Sequence, residues 1–296
     1  MTNELPNKDL VARSFGRAAA HYDDVAVLQR QTGDELLDRL SLVTLQPDRV
    51  LDLGVGTGRN LNLLAQRYPK AELLAVDIAP AMLEHARNSF SQTQGLKRWL
   101  PTAQKPMYLA GDAENLPLAD NSVDLVFANL ALQWCDPRMS FAEIQRVLRP
   151  DGLLMFTTLG PDTLHELRQS WAEVDDYPHV NMFYDMHDVG EAMMEAGLAE
   201  PVLDTDRYTL TYDTAMALMK DLKVLGARNV NSARRRGLTG KQTIKKVAES
   251  YEQFRQDAYL PATYEVVYGH AWGGQLKQQN VEGEVRIPIN QIQGRK

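Results

Sequence analysis

The sequence predicts an α/β fold built on a mostly parallel sheet with helices on both faces, and three observations predict it. An apolar run, Val50-Leu51-Asp52-Leu53, passes into the glycine turn Gly54-Val55-Gly56-Thr57-Gly58, and Asn60 to Tyr68 then places Leu61, Leu64 and Ala65 on one helical side. A second apolar run, Leu73-Leu74-Ala75-Val76, ends in Asp77 about twenty residues after that turn. A third, Met107 to Ala110, leads into Gly111-Asp112-Ala113-Glu114. Strands alternating with helices are the pattern of parallel crossover units.

The chemistry of the first loop follows from its residues. Glycine tolerates positive φ and lets a ligand approach the backbone. The helix behind it presents free N–H groups to a polar or anionic group. The loop is not the dinucleotide fingerprint G-x-G-x-x-G, because Arg59 stands where the third glycine would be. An acid at the end of the second strand can accept both ribose hydroxyls of a nucleoside. An ordinary glycine turn in an α/β domain would leave Asp77 and Asp112 unexplained, so the three elements together point to a nucleoside-binding domain.

Composition narrows the class. The chain has 296 residues, 44% hydrophobic and 24% charged, enough to bury a large core. Its formal net charge of -7 argues against general nucleic-acid binding. The single cysteine, Cys135, excludes an intrachain disulfide and suits a reducing compartment. Met1 to Leu10 is polar and lacks the apolar core of a secretory leader. No run approaches the roughly 18 apolar residues of a membrane span. The expectation is a cytoplasmic protein with no membrane and no nucleic-acid partner.

Taken in order, Met1 to Lys8 reads as a loose arm and Leu10 to Ala20 as a helix. After Phe15 to Asp23 comes an amphipathic segment, Val27 to Leu42, stopped by Pro47 and Asp48. Residues 1–46 are thus an N-terminal helical segment, and the polar neighbours His21 and Asp23 place Phe15 and Tyr22 at a site edge rather than in a core. Pro80 opens a helix. Ser91 to Lys105 reads as a surface loop, and Val123 to Phe127 as a buried fourth strand ending at Asn129 to Trp134, beside the reacting groups if ligands sit at the carboxyl ends of strands. Phe141 to Leu148 is a helix, Arg149 to Gly152 a turn and Leu153 to Thr157 the fifth strand. A main domain over 47–272 carries helical insertions near 160–185 and 213–260. Met186 to Ala196 is a helix stopped by Gly197. Asp204 to Tyr212 is a strand, Asp213 to Leu225 and Lys241 to Ala258 are helices, and Thr263 to Ala271 is the last strand. Residues 273–296 read as a polar tail.

No acid–base cluster stands out. The histidines His21, His85, His165, His179, His187 and His270 are scattered. Asp185 and His187 with His179 make a poor metal set, better read as a solvated turn. There is no serine elbow or cysteine–histidine spacing. The basic run Lys220, Lys223, Arg228, Arg234, Arg235, Arg236, Lys241, Lys245 and Lys246 has only Asp221 against it, and in an acidic chain it suits an acidic partner or substrate.

The acid before the G-x-G-x-G loop, with Asp77 and the Gly111-Asp112-Ala113 segment, resembles the class I S-adenosylmethionine-dependent methyltransferases. That resemblance implies a Rossmann-like sheet with an antiparallel last strand and an N-terminal helical lid over the cofactor, S-adenosyl-L-methionine. It implies Asp52, Gly54, Gly56 and Gly58 at the methionine end, Asp77 on the ribose, Asp112 and Ala113 on the adenine with Ile78 and Met82 flanking it, and Asn129 nearby. Phe15 to Tyr22, Asn129 to Cys135, Phe156 to Leu159 and Asp221 to Ala227 resemble, more narrowly, the malonyl-acyl carrier protein O-methyltransferases of biotin synthesis, over roughly Arg13 to Trp272. This implies methyl transfer to the free carboxyl of a malonyl thioester on acyl carrier protein, an acidic partner, with Tyr22, Gln133 and Trp134 bordering the methyl. Lys223 or Arg228 is assigned to the substrate carboxylate from charge and position. Gly160 to Arg168, Asp204 to Asp206 and Leu260 to Tyr264 also resemble an assembly factor of respiratory complex I that is implicated in arginine hydroxylation. A non-catalytic cofactor-binding module is the third reading.

The demands of methyl transfer fit the lack of a base. The protein must align nucleophile, methyl and sulfur and exclude water. A carboxylate is already ionised at pH 7 and needs orientation by cations or hydroxyls rather than deprotonation.

Overall fold

The computed structural model describes residues 6–95, 104–227, 229, 237 and 239–274. The helices are α1 (Lys8–Ala18), α2 (Tyr22–Val25), α3 (Val27–Leu40), α4 (Arg59–Arg67), α5 (Pro80–Gln94), α6 (Pro137–Val147), α7 (His165–Ala172), α8 (Met186–Glu195), α9 (Ala215–Val224) and α10 (Lys241–Tyr251). The strands are β1 (Arg49–Leu53), β2 (Glu72–Asp77), β3 (Met107–Ala110), β4 (Val123–Asn129), β5 (Leu148–Leu159), β6 (Ala199–Tyr212) and β7 (Leu260–Trp272). They form one seven-stranded sheet in the order β3-β2-β1-β4-β5-β7-β6. Strands β1 to β5 pair in parallel, and β7 runs antiparallel to both β5 and β6. The expected mostly parallel sheet with an antiparallel last strand is therefore what the chain forms.

The strand order reverses between β1 and β4. Crossovers lead outward from β1 through β2 to β3, then the chain returns to lay β4 on the other side of β1, and the two diverging sets of loops open a crevice at the carboxyl ends. Both faces of the sheet are covered, so β1, β2 and β4 are apolar on both sides. Val50, Leu73, Leu125 and Phe127 pack with Leu36, Leu61 and Phe90 on one face. Leu51, Val76 and Val126 pack with Phe141, Ile144 and Met193 on the other.

Several elements differ from the sequence reading. Lys8 is not in a loose arm: it begins α1, whose Asn7 cap accepts from the Leu10 N–H at 3.0 Å. Ser91 to Gln94 continue α5 rather than open a loop, while 96–103 lie outside the described residues. Strand β5 begins at Leu148, because Val123 pairs with Leu148 before a bulge. Strand β6 begins at Ala199, not Asp204, since β7 pairs with it to that point. Helix α10 ends at Tyr251, followed by a single 3₁₀ turn, Glu252–Phe254, and Asp257 at φ +50°. Beyond Gly274 the C-terminal segment lies outside the described residues.

The junction of β5, β7 and β6 depends on one missing side chain. Gly269 faces Phe156 across the ladder, and a Cβ there would lie 2.3 Å from the Phe156 ring. Phe156 is also edge-on to Phe141 at 5.2 Å between centroids, so the ring has no room to yield. Gly269→Ala is therefore expected to destabilise the protein by about 1–3 kcal/mol, read as a lowered midpoint in urea unfolding.

Candidate active site

The crevice holds a cavity of roughly 660 Å³, mouth included, lined by Gly54, Gly56, Asp77, Ile78, Met82 and Asp112 among others. The glycine loop shapes its floor. Gly54 takes φ +72°, and a Cβ on it would lie 2.4 Å from Ala131 Cβ. Gly56 takes φ +54° with nothing within 4 Å of where a Cβ would be, so its backbone is open to a ligand. Gly58, at φ +88°, is the N-cap of α4, and a Cβ there would lie 2.8 Å from the backbone of Ala86 in α5. Gly58 therefore serves helix–helix approach and does not line the cavity.

Two buried acids sit at the ends of β1 and β2. Asp77 accepts from the Gly56 N–H at 2.9 Å and from the Ala79 N–H at 2.8 Å, one on each carboxylate oxygen. Burial pushes its pKa up to about 6 despite those two bonds. Each oxygen keeps a lone pair for a further donor. Asp52 lies behind the loop, not on the cavity wall. Burial and the nearby charge of Asp77 push its pKa up to about 8, opposed by a bond from the Leu61 backbone. Its Oδ2 is buried without a partner. Asp52 is thus tied to α4 through the Leu61 backbone rather than lining the cavity.

Helix α1 lines one side of the cavity with Lys8, Val11 and Phe15. The Lys8 Nζ lies 3.0 Å from Asp112 Oδ1 and 2.7 Å from Glu114 Oε1, and 3.3 Å from the Cys135 sulfur. Burial opposes the Lys8 charge, but these partners outweigh it and hold its pKa above the ordinary value. The Cys135 thiol is pushed up to about 11 by burial, with Lys8 opposing. Asp112, Glu114 and Cys135 are close enough to share a cation, and the ammonium of Lys8 is the cation that they hold. Ser14 Oγ donates to the Gly226 carbonyl at 2.9 Å, and Thr57 Oγ1 donates to Asp23 Oδ1 at 2.7 Å, so the N-terminal helices are tied to α9 and to the glycine loop.

A second cavity, roughly 690 Å³ with its mouth, abuts the first. Phe15, Tyr22, Leu130 and Trp134 line both. Phe15 is edge-on to Trp134 at 5.4 Å and tilted to Tyr22 at 6.5 Å. Burial, with the charges of Asp77 and Asp23, raises the Tyr22 pKa, so its phenol stays protonated. A smaller hollow beside the loop is lined by Arg30, Arg59 and Asn60. Arg59 pairs with Asp34 at 2.8 Å, yet its Nη1 is buried without a partner.

Of the residues singled out from sequence, Gly54, Gly56, Asp77, Ile78, Met82, Asp112, Ala113 and Asn129 line the first cavity, with Tyr22 and Trp134. Gln133 lines only the second, where its Nε2 donates to the Leu130 carbonyl at 2.6 Å and its Oε1 is buried without a partner. Asn129 spends its amide on the fold: Oδ1 accepts from Thr32 and Thr157, and Nδ2 donates to the Gln29 carbonyl at 2.8 Å. Lys223 is exposed on α9 and lines neither cavity, because the inward side of that turn is taken by Leu222 and Leu225. Arg228 lies outside the described residues. Asp185 caps α8, accepting from the Asp188 N–H at 2.8 Å. The sequence reading missed Lys8, Arg30 and Arg59; only Arg59, adjoining the glycine loop, carried a local signal.

Residues 51–156, β1 to β5, match the family model of the methyltransferase domain. A malonyl-acyl carrier protein O-methyltransferase of Laribacter hongkongensis is 51% identical over 267 residues, 90% of this chain and 89% of that one. The protein of the same description in Halorhodospira halophila is 48% identical over 291 residues, 97% and 95% of the two chains. The solved YcgJ protein of Bacillus subtilis is 17% identical, with a TM-score of 0.55 over 82% of this chain and all of that one, a likeness of fold. At 51% and 48% identity over nine-tenths or more of its length, the chain belongs to the malonyl-acyl carrier protein O-methyltransferase family.

Proposed function

We propose that this chain transfers a methyl group from S-adenosyl-L-methionine to the free carboxylate of a malonyl thioester on acyl carrier protein, in the cytoplasm, as an early step of biotin synthesis. The observation that carries the reading is the meeting of two cavities at one aromatic wall, Phe15, Tyr22 and Trp134, with the glycine-loop crevice and its acids Asp77 and Asp112 on one side and, on the other, a chamber with no carboxylate among its described walls. The residues present suit the cofactor. Gly56 leaves its backbone open, Asp77 has lone pairs for two ribose hydroxyls, and Ile78 and Met82 flank an adenine whose amino group would meet Asp112. Arg59 and Arg30 stand beside the loop where an amino-acid carboxylate would need a cation. When bound, the cofactor supplies an electrophilic methyl on a sulfonium.

The protein's share is positioning and exclusion of water. An ionised carboxylate needs no base to make it a nucleophile. Phe15 and Trp134 shut out water where the two cavities meet. Tyr22, protonated, offers an O–H at that junction, and the amide of Gln133 borders it from the second chamber. Helices α9 and α10 touch and expose Lys220, Lys223, Lys241, Lys245 and Lys246, a surface suited to an acidic carrier.

The reading is tested with purified protein, methyl-labelled S-adenosylmethionine and malonyl-acyl carrier protein. Label is expected on the carrier in an alkali-labile ester, and its absence while cofactor still binds would refute the substrate. Asp77→Ala should weaken cofactor binding at least about tenfold by calorimetry, since it removes a charged acceptor. Wild-type affinity should also fall with pH. The ribose hydroxyls donate to the ionised form of Asp77, which is lost as pH drops through about 6. Titrations from pH 8 to 5 should show this loss, and Asp77→Asn should flatten it. Lys8→Ala frees α1 from Asp112 and Glu114 and should speed cofactor release several-fold in a stopped-flow chase.

A further inference from the structure

The second chamber must hold an anion if the proposed function is right, yet the described residues of its walls are almost wholly uncharged. Among the described residues that line it there is no lysine, arginine, aspartate or glutamate, and His179 is the one group able to carry positive charge. His179 lies in the irregular stretch between α7 and α8. Its ring stacks on Trp171 with 3.5 Å between centroids and 10° between planes. Its Nε2 lies 2.8 Å from Asp175 Oδ1. The stretch is tied from the far side too, because Asn229, another lining residue, donates from Nδ2 to the Pro178 carbonyl. Stack, carboxylate and loop tie together fix the ring plane. Nδ1 has no hydrogen-bond partner among the described residues.

We infer that His179, oriented by Asp175 and Trp171, is the residue that reads the free carboxylate of the substrate. This rests on the function proposed above and replaces Lys223 in that role. An imidazolium has an N–H on each nitrogen, so Nε2 can donate to Asp175 while Nδ1 donates to a second carboxylate. Asp175 fixes the ring and offsets part of its charge, leaving directional recognition rather than a strong ionic trap. On transfer, a carboxylate oxygen forms a bond to the methyl carbon as the methyl–sulfur bond breaks. The sulfonium and carboxylate charges disappear together and no proton moves. The ester product lacks the anion that His179 recognises, so the same contact that admits substrate favours product release.

A thioester without the distal carboxylate provides the test. Binding of malonyl- and acetyl-acyl carrier protein is measured on the full-length protein, with S-adenosylhomocysteine present, for wild type, His179→Gln and Asp175→Asn. Wild type should prefer the malonyl form. His179→Gln should reduce that preference about 10- to 100-fold, mainly through weaker malonyl binding, with S-adenosylhomocysteine affinity unchanged. Asp175→Asn, which keeps the ring on Trp171, should reduce it less. Equal weakening of both thioesters, or an intact preference in both variants, would overturn the assignment. A wild-type protein that methylates no malonyl thioester would remove the function and this role together, whereas activity with an unchanged preference would remove only the role.

Discussion

The bond from the Gly56 N–H to Asp77 holds the first loop of the sheet against the end of the second strand, and the rest of the site depends on it. Gly54 and Val55 also donate to the Val76 carbonyl at 2.8 and 3.1 Å, so three successive residues of the loop are fastened to β2. This works only because glycine takes the left-handed conformation at 54 and 56 without strain. The loop then delivers α4 onto α5, where Gly58 allows the close approach to Ala86. Cavity floor, helix packing and the placing of Asp77 are one construction.

That construction leaves a cost in the free protein. Burial raises Asp77 to about 6 and Asp52 to about 8, so both carboxyls resist ionisation. An acid with a raised folded pKa contributes stability below its unfolded value of about 4, and that contribution is lost as pH rises through the folded value. Near neutral pH the empty protein therefore holds Asp77 ionised at some expense in stability. A ligand that brings hydroxyl donors and a positive charge relieves the expense, as expected of a site shaped for its ligand.

Much of this was legible in the sequence where the signal was local. The strands carrying Asp52, Asp77 and Asn129 at or near their carboxyl ends each announced themselves by an apolar run with a polar residue, and the glycines by their spacing. What was not legible depends on contacts between distant segments. Lys8 reads as part of a polar arm until α1 folds it against Asp112, 104 residues away. Lys223 carries the right charge at a plausible place, but the helical phase of α9 gives the inward side to Leu222 and Leu225. His179 is an unremarkable residue in an irregular stretch, and only folding sets it between Trp171 and Asp175.

The distribution of charge over the two cavities has its own logic. The crevice beside the glycine loop is lined by the acids Asp77 and Asp112 although the chain is already acidic. The second chamber contains no carboxylate among its described walls. A cationic methyl donor and an anionic acceptor have opposite needs, and a low-dielectric interior magnifies any error in meeting them. Acids near the acceptor would repel it, while strong cations would hold it so firmly in the ground state that little would be gained in the transition state. Neutral phenol, amide and indole groups at Tyr22, Gln133 and Trp134, with a single imidazole tethered to its own carboxylate, meet both constraints. In the proposed reading they orient the acceptor without stabilising its charge so strongly that its reaction with the methyl would be slowed.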